Sequence, residues 1–319
     1  MEKKKMRKGN AVAAGSIAGK KKGKSILSNW QLYVMVLPAI IYFILFHYKP
    51  MYGIVLAFKK FNMREGIMGS PWVGLENFER LFSSYWFPII LKNTLTVSVL
   101  SLVLGFPLPI IMALMINEIK NRRIRETFQT VTYAPHFISI VVLCGMISIF
   151  LSPSTGIINR IIELFGGDAI AFMQEPSWFK WVYVLSGIWQ STGWGTIIYT
   201  AALAGVDKSL LEAAEVDGAT RFQRMIYINL PVLIPTMVTL FILNCGRILG
   251  VGYEKVYLLQ TATNISASEV ISTYVYKMGL VNNDFSFSTA VGLFNSVINS
   301  IILISANKLS KKFSHNSLW

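Results

Sequence analysis

The sequence predicts an all-α protein that crosses a membrane six times. Hydrophobic residues form 53% of the 319 residues and charged residues only 14%, a composition too apolar for a soluble domain of this size. The mean hydropathy of +0.51 agrees with this conclusion. Several apolar segments also approach or exceed the roughly 20 residues that a helix needs to cross a bilayer core. We therefore expect one membrane domain, residues 30–306, between a polybasic tail, residues 1–29, and a C-terminal tail, residues 307–319.

Six apolar segments account for the predicted spans. They are Trp30–His47, Ile89–Ile116, Gln129–Leu151, Phe179–Leu203, Val232–Gly250 and Ser288–Ala306. The second is long enough to tilt, or to bend at Pro107 and Pro109. After the fifth span, the apolar residues of Ser268–Met278 fall on one helical face. This pattern predicts a helix that lies on the outer membrane surface or covers a path through the membrane.

The distribution of basic residues predicts the orientation of the chain. Nineteen of the 30 Lys and Arg residues lie in the two tails and in the loops after the second and fourth spans, whereas the alternate loops carry eight. Because Lys and Arg favour the cytoplasmic side, both termini and the loop after the fourth span should be cytosolic. The net charge of +14 is then explained by the basic residues of the cytosolic segments, and a nucleic-acid partner is not needed to account for it. The polybasic tail is expected to lie near anionic membrane lipids.

The polar loop after the fourth span, Ala204–Pro231, has the sequence signals of a short capped helix. Ser209 and Glu212 have the spacing of a Ser-x-x-Glu capping box, which predicts a helix from Ser209. Gly218 is placed to end that helix in a left-handed cap. Because a helix of about ten residues is marginal alone in water, we expect it to dock on a partner.

A second helix is predicted directly after this one. Thr220 and Gln223 repeat the capping box, and Pro231 lies where the next membrane helix should begin. In the first helix, Ala213 and Ala214 leave a low surface that a partner backbone can approach closely. The acidic side chains beside them can pair with a basic groove, and they are Glu212, Glu215 and Asp217.

The fixed positions of this loop have a characteristic order. Glu212-Ala213-Ala214 is followed after three residues by Gly218, and after nine more by Ile228-x-Leu230-Pro231. This order resembles the coupling-loop signature of membrane permeases in binding-protein-dependent ABC importers. The resemblance implies a type I importer permease fold in the bacterial plasma membrane, with this loop seated in a cleft of an ATPase subunit. The coupling residues would be Glu212, Ala213, Ala214, Asp217 and Gly218.

Three further segments, Tyr133–Ser139, Gly252–Gln260 and Val270–Tyr276, resemble a carbohydrate-importer branch of that family. That branch includes permeases for oligosaccharides with uronic acids, such as pectin or xylan fragments. The resemblance implies a second homologous permease, two ATPase subunits, an extracytoplasmic solute-binding protein and an oligosaccharide substrate. ATP and Mg would bind the partner subunits, while this chain would bind no cofactor.

Polar residues inside the spans are the candidates for a substrate path, because burying them in lipid is costly. Arg247 lies at the end of the fifth span, where the family usually lacks an Arg. It could bind a carboxylate of an acidic sugar through two hydrogen bonds, or pair with Glu254, or extend to the outer surface. Glu254 is itself a candidate for the path. The other candidates could bind sugar or instead anchor and join helices, and they are Asn93, Trp189, Gln190, Trp194 and Asn244.

Enzymatic chemistry has no support in the sequence. The three histidines lie far apart without a metal-ligand spacing, and no phosphate-binding loop is present, so energy must come from a partner. The two cysteines, Cys144 and Cys245, lie inside predicted spans and are interpreted as packing residues. Two alternatives remain open. A secondary transporter normally carries Asp or Glu inside its spans, and none is present here; a docking scaffold would bind a partner without moving substrate.

Overall fold

The computed structural model describes residues 30–314 and residue 318, and this part of the chain is almost entirely helical. Its one β interaction is an isolated bridge between Lys59 and Trp72. The described part of the chain divides into two compact units, the first ending at Tyr52 and the second beginning at Gly53. The predicted polybasic tail, residues 1–29, lies outside the described residues. Residues 315–317 and 319 of the C-terminal tail also lie outside them.

The first unit contains helix α1, Trp30–Phe43, which continues through a π-helical turn, Ile44–Tyr48, and a short α-helical turn, Lys49–Met51. A 3-10 helix, Tyr52–Phe58, begins at the last residue of the first unit and continues into the second. In the second unit a turn of helix, Gly66–Gly69, precedes the longer elements. These are α2 (Glu76–Ser83), α3 (Trp86–Gly105), α4 (Pro107–Asn117), α5 (Arg122–Tyr133), α6 (Ile140–Phe150), α7 (Ile157–Leu164), α8 (Pro176–Leu203), α9 (Lys208–Val216), α10 (Arg221–Cys245), α11 (Tyr253–Leu259), α12 (Ile265–Ser268), α13 (Ile271–Tyr276) and α14 (Phe285–Ser314).

Four helices of the described residues are long and apolar enough to cross a membrane. They are Trp30–Phe58, Trp86–Asn117, Arg221–Cys245 and Phe285–Lys312, and a fifth span arises if α5 and α6 are counted together. The segment predicted as the fourth span forms α8, a helix of 28 residues. It is long enough to cross, but its Gln, Ser, Thr and Gly residues make it less apolar than the others.

The third predicted span, Gln129–Leu151, is not one continuous helix. Helix α5 and the 3-10 turn Ala134–Phe137 meet α6 at an angle of 95°. Pro135 lies in that turn, and the chain changes direction directly after the turn, where Ile138 and Ser139 have extended backbone. The side chain of Ser139 then caps α6 by accepting a hydrogen bond from the N–H of Val142. The second predicted span lies within the single helix Trp86–Asn117, and Phe106, directly before Pro107, keeps helical backbone.

The fifth span begins earlier than the sequence indicated. A single helix runs from Arg221 to Cys245, so Pro231 does not start it. A π-helical turn, Met225–Asn229, directly precedes Leu230 and Pro231. The wider turn accommodates the missing N–H and the bulky ring of Pro231, which would clash with the carbonyl one turn earlier in a regular α-helix.

The predicted surface helix Ser268–Met278 is wrong in its start and in its surroundings, because the helix begins at Ile271 and continues through a π-helical turn, Lys277–Val281. Helix α12 ends at Ser268, α13 begins at Ile271, and Glu269 has extended backbone between them. The apolar residues of this segment are covered by protein, because Val270 and Ile271 are buried in two different core clusters. Periodicity identified an apolar face correctly, but this face packs on α3 and α14 instead of on lipid.

Helix α8 organises the packing of the second unit. Near its start, Phe179 contributes to an apolar cluster with residues of α3, α6 and α11. Near its end, Tyr199 and Leu203 pack in another cluster with α4 and α10. A third cluster joins α2, α3, α13 and α14. The space along the middle of α8, between the first two clusters, is the position of the cavity described next.

Candidate functional site

A cavity of about 660 Å³ lies along the middle of α8. Its walls come from α3 and α4, from α8, and from the end of α10 with the connection to α11. Such a volume is in the range of pockets that hold small molecules. The polar and aromatic residues of its lining include Ser98, Ser101, Gln190, Ser191, Trp194 and Asn244.

Two cationic side chains, Arg247 and Lys255, line this cavity, and its lining contains no Asp or Glu. Among the described residues Arg247 forms no ion pair and no side-chain hydrogen bond, so the predicted alternative of a pair with Glu254 is not seen. Glu254 is exposed and is not part of the lining. The cavity therefore carries an uncompensated positive charge, which favours an anionic ligand.

Lys255 is the more buried of the two cations, with 7% of its surface exposed. Its Nζ donates a hydrogen bond of 2.8 Å to the carbonyl of Tyr183 and lies 4.7 Å from the centre of the Tyr183 ring. The absence of a side chain at Gly187 makes room for the ammonium, since a Cβ there would lie 3.2 Å from Nζ. Burial lowers the pKa of Lys255 to about 8, and its remaining N–H groups are available to a ligand.

The break between α5 and α6 lies beside the same cavity. The side chain of Gln190 donates a hydrogen bond of 2.8 Å to the carbonyl of Ile138, which the break leaves without a helical partner. His136 stacks on Trp194 with ring centres 4.5 Å apart and planes 5° apart. Non-helical backbone within a membrane occurs where protein covers it or where it lines a wet cavity, and such breaks often mark substrate sites in transporters.

The structure brings together four of the predicted substrate-path residues, Gln190, Trp194, Asn244 and Arg247. The remaining three lie elsewhere. Asn93 donates hydrogen bonds of 2.9 and 3.0 Å to the carbonyls of Ser266 and Glu269, and so joins α3 to the α12 region. Trp189 is half exposed and, like Glu254, does not line the cavity.

Lys255 is a member of the site that the sequence did not predict. It lies in a loop between spans, where a lysine is usually solvated, and its burial depends on the packing of α11 against α6 and α8. One signal was available: Lys255 follows Arg247 by eight residues in a segment otherwise rich in apolar residues. His136, which no motif in the sequence singled out, stacks its ring on a tryptophan of the cavity wall.

The second candidate site is the loop after α8. Its helix, α9, begins at Lys208 and not at Ser209, because the carboxylate of Asp207 caps it by accepting a hydrogen bond of 2.9 Å from the N–H of Ser209. A charged cap is favoured by the partial positive charge of a helix N-terminus. The backbone N–H of Ser209 also lowers the pKa of Asp207. The capping box at Thr220 and Gln223 is present as predicted.

Gly218 ends α9 as predicted. Its φ is +81°, in the left-handed region that favours glycine. The N–H of Ala219 donates to the carbonyl of Ala214 at 2.8 Å, and the N–H of Gly218 donates to the carbonyl of Glu215 at 3.1 Å. This pair of bonds is the Schellman arrangement, which fixes the direction in which the chain leaves α9.

An ion pair holds α9 against α10. Arg224 Nη1 lies 2.5 Å from Glu215 Oε2, and the arginine side chain is only 13% exposed. Arg224 lowers the pKa of Glu215. Glu212 and Asp217 are exposed and have no ion pair among the described residues, so Glu212 and Asp217 are free to bind a partner, whereas Glu215 is already paired.

Comparisons with known proteins identify the class. The family model described as "Binding-protein-dependent transport system inner membrane component" matches residues 105–315. The chain belongs to this family, the inner-membrane permeases of bacterial ABC importers, and it is a multi-pass membrane protein with the type I permease fold. The match includes both the loop with Gly218 and most of the cavity lining.

Individual relatives point to oligosaccharide import. The chain is 45% identical, over 90% of each chain, to the polygalacturonan/rhamnogalacturonan transport system permease protein YteP of Bacillus subtilis (strain 168). It is 41% identical to Protein LplB of the same organism, over 90% of this chain and 91% of that protein. A solved bacterial ABC transporter involved in the import of the acidic polysaccharide alginate contains a similar chain. The TM-score is 0.84 at 43% identity, over 91% of this chain and 98% of that one.

Proposed function

We propose that this chain forms half of the translocation path for an acidic oligosaccharide, and that its cavity binds the carboxylates of that substrate. The observation that carries the proposal is the pair of cations, Arg247 and Lys255, in a cavity whose lining has no carboxylate. The similar proteins support it, because polygalacturonan and alginate in their names are both acidic polymers.

Each kind of lining residue has a separate task in this proposal. Arg247 has a free guanidinium that can bind a carboxylate through two parallel hydrogen bonds. The face of Trp194 that His136 leaves uncovered can stack on a sugar ring. Asn244 and Gln190 can bond hydroxyl groups, and the serines of α3 and α8 add smaller polar contacts.

The loop containing α9 couples this path to ATP hydrolysis on a partner subunit. Glu212 and Asp217 pair with basic residues of the ATPase, while Ala213 and Ala214 let its backbone approach. Leu210, Val216 and Phe222 add exposed apolar surface around the helix. Because Gly218 and the Glu215–Arg224 pair fix α9 on α10, a displacement of α9 is passed to a helix that contributes Asn244 to the cavity wall.

The complete assembly contains a second homologous permease, two ATPase subunits and an extracytoplasmic solute-binding protein. A solved alginate transporter in complex with a periplasmic protein bound to an alginate pentasaccharide supports the last of these. This chain crosses the membrane six times, with α8 as the fourth span and α5–α6 as the third. Both termini and α9 face the cytosol, as the excess of basic residues favours. ATP and Mg bind the partner subunits, and this chain binds no cofactor.

The test is uptake by the complete transporter, reconstituted in vesicles, of acidic and neutral oligosaccharides of equal length. Arg247→Met should reduce uptake of the acidic substrate by about tenfold or more, since a hydrogen bond to a charged group contributes about 1.5–3 kcal/mol, and should leave any uptake of the neutral one unchanged. Glu254→Gln, an exposed neighbour outside the lining, is the matched control. Equal losses for both substrates in Arg247→Met would contradict the proposal.

A further inference from the structure

Helix α7 and the residue after it have an apolar face that no part of the described chain covers. The face consists of Ile157, Ile158, Ile161, Leu164 and Phe165, whose spacing places them on one side of the helix. Leu164 and Phe165 are 84% and 89% exposed. The polar residues Arg160 and Glu163 lie on the other side of the exposed surface.

This orientation is fixed by the packing of the helix. Asn159 is 1% exposed and faces the opposite way. Its side-chain amide donates hydrogen bonds of 3.0 Å to the carbonyls of Ser152 and Ile170, and its carbonyl accepts one of 2.8 Å from the N–H of Ile170. Because these bonds tie α7 to the chain before and after it, α7 cannot roll to bury its apolar face.

The end of α7 is fixed as well. The N–H of Gly167 donates to the carbonyl of Ile162 at 3.0 Å, and the N–H of Gly166 donates to the carbonyl of Glu163 at 3.0 Å. These two bonds form a second Schellman arrangement. The exposure of Leu164 and Phe165 is therefore a property of a well-defined helix end.

The depth of α7 follows from its neighbours. It leads into the first residues of α8, at the end opposite to α9, and the 28 residues of α8 extend about 42 Å at 1.5 Å per residue. Trp178 and Trp181 lie on the first turns of α8 and are both partly exposed. Tryptophan is enriched where a membrane meets water, and Trp178 packs on Phe172 of the α7–α8 connection at 4.9 Å.

A second exposed apolar surface lies close to that of α7 in the chain. Helix α6 ends at Phe150, six residues separate it from α7, and Val142, Ile149 and Phe150 are exposed along it. The α7 face contains no polar residue, whereas an interface between separately soluble proteins is only about as apolar as an average protein surface. Lipid fits this face better than a soluble binding protein does.

We propose that α7 is an interfacial helix whose apolar face is inserted into the lipid leaflet opposite to α9. Helices of this kind bury their apolar face about 5–10 Å into the boundary between headgroups and acyl chains. Arg160 and Glu163 remain on the aqueous side, among the headgroups. The helix fixes the level of the α6–α8 connection in the membrane, independently of which substrate the cavity binds.

The test measures the surroundings of spin labels on single introduced cysteines, in the chain reconstituted into liposomes with the subunits that co-purify with it. Leu164→Cys and Phe165→Cys report on the apolar face, and Glu163→Cys is the control on the polar side. Labelling of the unchanged chain gives the background, since Cys144 and Cys245 are buried. The probes are molecular oxygen, which concentrates in lipid, and a water-soluble nickel chelate.

If the apolar face of α7 lies in lipid, the ratio of oxygen accessibility to nickel accessibility should exceed unity at Leu164 and Phe165. The same ratio should stay below unity at Glu163. Ratios below unity at all three positions would show that the face is in water and would overturn the proposal. Low accessibility to both probes at Leu164 and Phe165 would overturn it too, because a protein partner would then cover the face. None of these outcomes depends on transport, so they leave the proposed function unaffected.

Discussion

The side chain of Gln190 donates its hydrogen bond to the carbonyl of Ile138 across the gap between α8 and the break in α5–α6, over 2.8 Å. A helix break inside a membrane protein leaves backbone carbonyls without partners, and each must be satisfied by protein or by water. Gln190 performs this task while it also lines the cavity. Gln190 therefore belongs both to the wall of the cavity and to the break between α5 and α6.

Replacing Gln190 by Leu should destabilise the protein, because the Ile138 carbonyl loses its partner. The expected cost is about 1–3 kcal/mol for a buried unsatisfied group, with the lower end favoured if cavity water reaches it. Thermal unfolding in detergent measures the effect. Asn244→Leu is the control, since Asn244 lines the cavity without a side-chain hydrogen bond in the described structure. Equal stability losses in the two variants would contradict this role of Gln190.

Gly193 is expected to tolerate no side chain. A Cβ there would lie 2.0 Å from the carbonyl oxygen of Thr132, so α5 would have to move away from α8. Gly193→Ala should therefore cost about 1–3 kcal/mol of stability, the usual range for overpacking, and should reduce transport by displacing the break. Gly145→Ala on α6 is the control, because a Cβ at that position meets no atom within 4 Å. Thermal unfolding of both variants checks the difference.

Four of the six predicted spans fall largely on helices that are long and apolar enough to cross a membrane, because a continuous apolar run has few alternatives in a bilayer. The sequence could not predict how they bend. A turn of 95° follows Pro135, whereas the helix continues through Pro231, so a proline in the sequence does not by itself show where a span bends. A π-helical turn accommodates Pro231, whereas Pro135 is accommodated by a break whose Ile138 carbonyl is bonded by Gln190.

The same limit applies to the candidate site. Arg247 could be selected from the sequence because a charge within a span is unusual. Lys255 could not, since the loop that carries it folds back against Tyr183 through contacts distant in sequence. In the α9 loop, local signals predicted the cap at Gly218, which depends on backbone conformation alone. The capping box at Ser209 was wrong because the side chain of Asp207, two residues earlier, caps the helix instead.

Substitutions in α9 should separate coupling from folding. Glu212→Lys reverses an exposed charge without an intramolecular partner, so it should reduce substrate-dependent transport and leave the thermal unfolding temperature unchanged. Glu215→Lys should also break the ion pair with Arg224 and loosen α9. Limited proteolysis of the loop distinguishes the two, with faster cleavage expected only for Glu215→Lys. Unchanged uptake in Glu212→Lys, with the ATPase still bound, would count against the coupling role.

Gly218 should accept Asn better than Val. At φ +81° a β-branched residue is strained, by about 1–2 kcal/mol for adopting the left-handed region, while Asn is among the residues that enter it most readily. Gly218→Val is expected to uncouple ATP hydrolysis from uptake by redirecting the chain after α9, and Gly218→Asn to retain most of the transport. The ratio of ATP hydrolysed to substrate moved provides the measurement. Similar ratios in both variants would show that the left-handed cap is not required.

Transport of an acidic substrate should decline as the pH rises through about 8. Burial lowers the pKa of Lys255 from its ordinary value of 10.5 to about 8, so Lys255 loses its charge there while Arg247 keeps its own. The effect on stability has the opposite sign. A buried lysine with a lowered pKa disfavours the folded state below that pKa, so the free energy of unfolding should rise from pH 8 towards 10.5.

The decline in uptake above pH 8 is therefore not an effect of unfolding caused by Lys255. Lys255→Met retains the bulk of the side chain without its charge, so its uptake of acidic oligosaccharide should be low at pH 7 and nearly constant between pH 7 and 9. Initial uptake rates in vesicles, with internal pH held constant and ATP hydrolysis measured in parallel, give the profile. A decline of the same size in Lys255→Met and in the unchanged chain would assign the titration to another group.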